Sequence, residues 1–184
     1  MAQLVNPADH TPDTPELVRQ LAACLQQRQL LLASAESCTG GLIAAACTDL
    51  AGSSQWFERG FVSYSNAAKT ELLGVDAALI AQHGAVSEPV VRAMARGALT
   101  HSHAQVALAV TGVAGPAGGS VDKPVGTVWL AWATPDALIS QRQHFDGDRA
   151  QVRQATVQHA LAGLLALLNC AKHDTDQRLP SAPA

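Results

Sequence analysis

Between residues 14 and 168 the apolar positions alternate between helical spacing and short unbroken runs. In TPELVRQLAACLQQRQ, the residues Leu17, Val18, Leu21 and Leu25 share one helical face, with Thr14 as N-cap and Pro15 in the first turn. LLLASAE follows as a short apolar run that predicts a buried strand. TGGLIAAACTDLAGSS predicts an alanine-rich helix closed by Gly52, and WFERGFVSYS an extended segment with Gly60 as a candidate bulge. NAAKTELLGV reads as a short helix ending at Gly74, and SEPVVRAMARGALTHSH as a longer one capped by Ser87 with Pro89 in its first turn. QVALAVTG and GTVWLAWATP are strong strands, and ALISQRQHFDG alternates apolar and polar residues as an edge strand does. DRAQVRQATVQHALAGLLALLN completes the pattern as a long amphipathic helix with Asp148 near its start.

Strands alternating with helices predict a three-layer α/β/α sandwich around a mixed, largely parallel sheet. The last three strands have too little chain between them for helical crossovers, so that part of the sheet is expected to be antiparallel. Residues 1–13 lack periodicity and read as a loose leader, 14–170 as a single domain, and 171–184 (AKHDTDQRLPSAPA) as a disordered tail.

Composition narrows the function. The 184 residues are 48% hydrophobic and 15% charged with a net charge of −3, as in an ordinary globular domain with a sizeable core. No cluster of Lys and Arg appears and aromatics make up only 4%, which argues against a nucleic-acid or anionic-membrane surface. The N-terminus has no basic start followed by an apolar run, and no apolar run is long enough to span a bilayer. Four cysteines, Cys24, Cys38, Cys47 and Cys170, form no C-x-x-C pair; Cys24, Cys47 and Cys170 read as buried thiols. A reduced, cytoplasmic protein is expected.

Three polar clusters fall at strand ends, where α/β sheets keep their ligand crevices. In the first, Glu36-Ser37-Cys38-Thr39-Gly40-Gly41, a strand runs into a helix whose free N–H groups suit a phosphate or an acyl-transfer oxyanion. The spacing is neither a P-loop nor G-x-S-x-G nor G-x-G-x-x-G, and a capped helix with glycines for tight packing accounts for the same residues. The second cluster gathers Ser53, Ser54, Tyr64, Ser65, Asn66 and Lys69. A lysine drying beside a serine can serve as that serine's base, with a tyrosine hydroxyl as donor or relay; a solvated surface lysine is the plain alternative. The third, Thr111, Gly112, Gly115, Pro116, Gly118 and Gly119, suits either a ligand-wrapping loop or a hairpin connection. Cys38 near a helix start is a second-rank nucleophile, because no histidine stands beside it in a suggestive motif. No H-E-x-x-H, paired-cysteine or acidic-ligand pattern appears, so neither a metal nor another cofactor is expected.

Taken together, AESCTGGLIAAACTDLAGSSQWFERGFVSYSNAAKTELLGV, GAVSEPVVRAMARGA, AVTGVAGPAGG and KPVGTVWLAW resemble the nicotinamide-nucleotide amidohydrolase family, similar to the C-terminal domain of competence-damage-inducible CinA proteins. The resemblance covers about residues 14–168. It implies a metal-free hydrolase in pyridine-nucleotide salvage that converts nicotinamide mononucleotide to nicotinic acid mononucleotide and ammonia, in a homodimer. Its partner is then a small nucleotide, not nucleic acid or membrane. The additional N-terminal domain of many CinA proteins has no counterpart here, so its pyrophosphatase activity is not expected. The resemblance points to a Ser–Lys arrangement with Lys69 as base and Tyr64 close by. Ser37 and Ser54 both belong to the matching motifs, one as nucleophile and the other placing the amide. Thr39, Gly40, Gly41, Thr111 and Gly112 would line the nucleotide, with Arg149 reaching its phosphate. The competing function is a non-catalytic pyridine-nucleotide-binding module of the CinA type.

Overall fold

The structure, a computed structural model, describes residues 12–176, with side chains through Leu168. Its order is α1 (Thr14–Gln27), β1 (Leu32–Glu36), α2 (Leu42–Thr48), a 3₁₀ turn (Ser53–Gln55), β2 (Phe57–Val62), α3 (Asn66–Leu73), α4 (Ala77–His83), α5 (Glu88–Thr100), β3 (Val106–Gly112), β4 (Thr127–Ala133), β5 (Leu138–His144) and α6 (Arg149–Asp176). The leader through residue 11 and the tail from 177 lie outside the described residues, as does the side chain of Cys170. The helix α6 runs past the expected domain end at 170 to Asp176.

The five strands form one sheet in the order β2-β1-β3-β4-β5. β1 pairs in parallel with β2 and β3, while β3–β4 and β4–β5 are antiparallel, so β1, β2, β3 and β5 all point the same way. β5 is an edge strand, and its alternating exposure matches its sequence.

The period of two along the central strands sorts side chains by size. Leu32, Val106, Leu108, Val110, Val128, Leu130 and Trp132 point into the core shared with α1, α2 and α6. Ala33, Ala35, Ala107, Ala109, Ala131 and Ala133 face α5, where Val90, Val91, Met94 and Ala98 close over them. An alanine-paved face lets a helix approach the sheet closely while the opposite face supplies the bulk. The same closeness recurs at Gly97, where any Cβ would strike the Leu73 carbonyl of α3.

Several local expectations shift. Asp13, not Thr14, caps α1, its carboxylate accepting from the Glu16 N–H at 2.9 Å; both residue types suit an N-cap. The second helix ends at Thr48, and Gly52, at φ 82°, instead opens the 3₁₀ turn. The register irregularity in β2 falls opposite Leu32 and Ala33, ahead of Gly60, whose missing Cβ makes room for Ala44 and Ser34. Ser87 opens α5, but its hydroxyl donates back to the Gly84 carbonyl instead of capping the helix. α4 has no counterpart among the expected elements; Asp76 caps it.

One consequence of the topology positions the chemistry. The connection leaving β1 goes to α2 on the large-residue face, and the one leaving β2 goes to α3 on the alanine face. Between two strand ends whose connections part in this way, an α/β sheet opens a crevice. Ser37 follows β1 and Lys69 lies in the helix after β2, so both border it.

Candidate active site

Lys69 is 1% exposed, although lysine ordinarily keeps its ammonium in water. Ser65 caps α3 by accepting from the Ala68 N–H at 3.0 Å, and Gly74 at φ 64° ends the helix. That places Lys69 on the inward face of the first turn. Its Nζ lies 3.0 Å from Ser37 Oγ, 2.9 Å from the Ser63 carbonyl and 3.4 Å from the Tyr64 carbonyl. Among the described residues it makes no ion pair. Burial pushes the ammonium's pKa below lysine's usual 10.5. A neutral amine has two N–H donors and one lone pair. As an ammonium, Lys69 donates to the two carbonyls and to the Ser37 hydroxyl; as a neutral amine it keeps the two carbonyls and turns its lone pair to Ser37.

Glu36, the last residue of β1, is fully buried and surrounded by donors. It accepts from Thr39 Oγ1 at 2.7 Å, Gly41 N at 3.0 Å, Ile43 N at 3.0 Å, Ala44 N at 2.8 Å and Ser34 Oγ at 3.3 Å. A side chain several residues upstream therefore caps α2, with the chain folded back by Gly40 at φ 59° and Gly41 at φ 97°. This corrects the expectation of a phosphate cradle at that helix start: its N–H groups are already committed to a carboxylate. The Gly40 N–H donates to the Ser37 carbonyl at 3.1 Å, closing a turn. The N–H groups of Cys38 and Thr39 reach no oxygen acceptor among the described residues and lie against the Cys38 sulfur. Both follow Ser37 directly in the chain, and backbone N–H groups beside a nucleophilic hydroxyl are the type that can meet an oxyanion.

The remaining candidates divide. Arg149, at the start of α6, donates to the Gly115 carbonyl at 2.9 Å and to the Tyr64 hydroxyl at 3.0 Å. Tyr64 is 59% exposed, so its phenol lies at the outer rim with Arg149, and its contact with Lys69 is through the backbone carbonyl. Thr111 and Gly112 follow Val110, whose carbonyl accepts from the Ser37 N–H at 3.1 Å, so they stand beside the loop. The hydroxyls of Thr39 and Thr111 face inward, to Glu36 and to the Ala85 carbonyl respectively, which leaves backbone as their contribution to any ligand.

Ser54 is not in the cluster. It precedes β2, whereas Ser63, Tyr64 and Lys69 follow it, and six strand residues separate the two ends by about 17 Å. Of the two serines, Ser37 is the one in contact with Lys69. Cys38 is buried as well, and burial pushes its thiol up to about 12, far from a reactive thiolate. Among the described residues no group of three or more His, Cys, Asp or Glu is placed to hold a metal ion, and no helix is long and apolar enough to cross a membrane.

Two contributors escaped the sequence. Ser63 acts through its carbonyl, a role any residue type can fill. Arg153, four residues beyond Arg149 on α6, donates to the Thr39 carbonyl at 2.8 Å. The i, i+4 arginine spacing at a helix start is the one signal that pointed to it.

Comparison with known proteins bears on this arrangement. The family model for the CinA C-terminal domain matches residues 14–168. The chain is 56% identical over 151 residues to a Pseudomonas putida protein named nicotinamide-nucleotide amidohydrolase PncC, covering 82% of this chain and 94% of that protein. Its Escherichia coli K12 namesake is 52% identical over 150 residues, covering 81% and 91%. Among solved structures, the competence/damage inducible protein CihA of Agrobacterium tumefaciens superposes with a TM-score of 0.82 at 43% identity, covering 92% of this chain and 99% of that one. A CinA superfamily protein from Enterobacter cloacae superposes with a TM-score of 0.85 at 35% identity, covering 91% and 98%.

Proposed function

The chain belongs to the CinA C-terminal domain family, and from that premise we propose that it is a nicotinamide-nucleotide amidohydrolase. On this reading it cleaves the carboxamide of nicotinamide mononucleotide through a Ser37–Lys69 pair. The observation that carries the reading is the 3.0 Å contact between a buried, ion-pair-free amine and the Ser37 hydroxyl.

The steps follow from the groups present. Ser37 Oγ attacks the amide carbonyl carbon while its proton passes to the neutral Lys69 amine. The oxyanion meets the N–H groups of Cys38 and Thr39. The tetrahedral species then collapses, the C–N bond breaks, and Lys69 returns its proton to the departing nitrogen, which leaves as ammonia. A water molecule attacks the resulting Ser37 ester, again with Lys69 as proton acceptor, and the nicotinate nucleotide departs with Ser37 restored. No step calls for a metal.

Arg149 and Tyr64, at the rim, are the groups that meet the ribose phosphate, and the Thr111–Gly112 backbone borders the ring. The same reading takes the protein as a cytoplasmic homodimer in pyridine-nucleotide salvage, acting on a free nucleotide rather than on nucleic acid or membrane. Ammonia release from nicotinamide mononucleotide by the purified chain, with and without a chelator, tests it. Release that survives chelation is expected. Saturable binding without release would instead favour the nucleotide-binding module.

A further inference from the structure

Arg153 is part-buried, its Nη2 donates to the Thr39 carbonyl at 2.8 Å, and its Nε is buried with no partner among the described residues. Buried guanidinium nitrogens are normally satisfied, so an arginine held with its Nε idle is placed for the contact its terminal Nη2 makes. The Thr39 carbonyl belongs to the same peptide unit as the Gly40 N–H, which donates to the Ser37 carbonyl at 3.1 Å. One rigid peptide plane therefore links the guanidinium to the backbone of Ser37. The guanidinium adds a contact from α6 to the bonds within the turn. Gly40 and Gly41 both stand in the left-handed region and carry no side chain to hold the turn. Glu36 fixes the helix side of the turn through Gly41, Ile43 and Ala44 and holds the Thr39 hydroxyl, while the Thr39 carbonyl accepts within the turn only a long 3.4 Å bond from the Leu42 N–H.

We propose that Arg153 is the positioning residue of this turn: by gripping the Thr39–Gly40 peptide it fixes Ser37 against Lys69 and aims the Cys38 and Thr39 N–H groups at the oxyanion. A positive charge on the carbonyl end of that peptide also polarises the hydrogen bond at its other end. Arg149, one helical turn earlier, reaches outward to Tyr64 and Gly115, so the two arginines divide the work between substrate rim and turn. The inference rests on the amidohydrolase reading for its effect on turnover, though not for the anchoring itself.

The test uses the full chain with Arg153→Met, which keeps the apolar stem and removes the donors, and Arg153→Lys, which keeps a charged donor. For Arg153→Met, kcat for ammonia release is expected to fall about 10- to 100-fold, with KM within about threefold of wild type; Arg153→Lys recovers part of the loss. In parallel, exchange of the Gly40 amide is expected to accelerate at least about tenfold in Arg153→Met while amides of β4 keep their rates. A rise in KM at unchanged kcat would reassign Arg153 to substrate binding, and unchanged Gly40 exchange would remove the anchor; either overturns the proposal. If wild type releases no ammonia, the amidohydrolase reading fails, and the exchange comparison still decides whether Arg153 pins the turn.

Discussion

Glu36 and Thr39 lie on either side of Ser37 and are joined by a 2.7 Å hydrogen bond from the threonine hydroxyl to the carboxylate. The bond ties the last residue of β1 to the turn that carries Ser37. Glu36→Gln turns an acceptor-only group into one whose amide faces the N–H donors of Gly41, Ile43 and Ala44. The expected cost is about 3 kcal/mol, from hydrogen bonds to a charged group lost at a buried site. Urea unfolding measures it, and an effect below about 1 kcal/mol would mean that Glu36 does not hold the helix start.

Lys69→Met separates chemistry from stability. Loss of the base is expected to lower kcat about a thousandfold or more. Stability should change by less than about 2 kcal/mol, because two carbonyls lose a partner while a buried amine is removed. Turnover within tenfold of wild type would exclude Lys69 as the base.

The lowered pKa of Lys69 sets the sign of two pH profiles. Only the neutral amine accepts the serine proton, so kcat/KM rises with pH through an acid limb whose midpoint lies below lysine's usual 10.5. In the window between the folded value and the unfolded one, the unfolded chain binds the extra proton, so Lys69's contribution to stability improves as pH rises. Subtracting the Lys69→Met profile isolates this contribution. A wild-type acid limb absent below that usual value, or a stability difference that falls with pH, would contradict the assignment.

Cys38 neighbours Ser37, yet its thiol, pushed up to about 12 by burial, stays protonated at neutral pH. Cys38→Ala is expected to keep kcat within about threefold, since the residue offers its backbone N–H and not its sulfur. Iodoacetamide should leave Cys38 of the native protein unmodified at pH 8, as peptide mass mapping reads directly. Loss of turnover in Cys38→Ala together with rapid alkylation would make the thiol the nucleophile.

Much of the architecture was legible because each element states its period: large and alanine residues alternate along β3 and β4, glycine ends α3, and β5 alternates polar residues toward solvent. The site was legible in its residue types, but less so in its pairings. Ser37 and Lys69 are 32 residues apart, and nothing in that spacing says that they meet. The parallel register of β1 with β2, Glu36 opposite Val62, brings together the segments that leave both strands and excludes Ser54, which precedes one of them. The cap of α2 was hidden for a similar reason. Two left-handed glycines fold the chain back, so the capping carboxylate sits upstream of where a sequence pattern looks for it.

Ammonia release from nicotinamide mononucleotide by Ser37→Ala and Ser54→Ala, assayed side by side in the presence of a chelator, decides whether the Ser37–Lys69 pair carries the reaction. Ser37→Ala is expected to lose about a thousandfold or more in kcat and Ser54→Ala to stay within about twofold of wild type. An active Ser37→Ala beside an inactive Ser54→Ala would contradict the assignment, placing the nucleophile at the other end of β2.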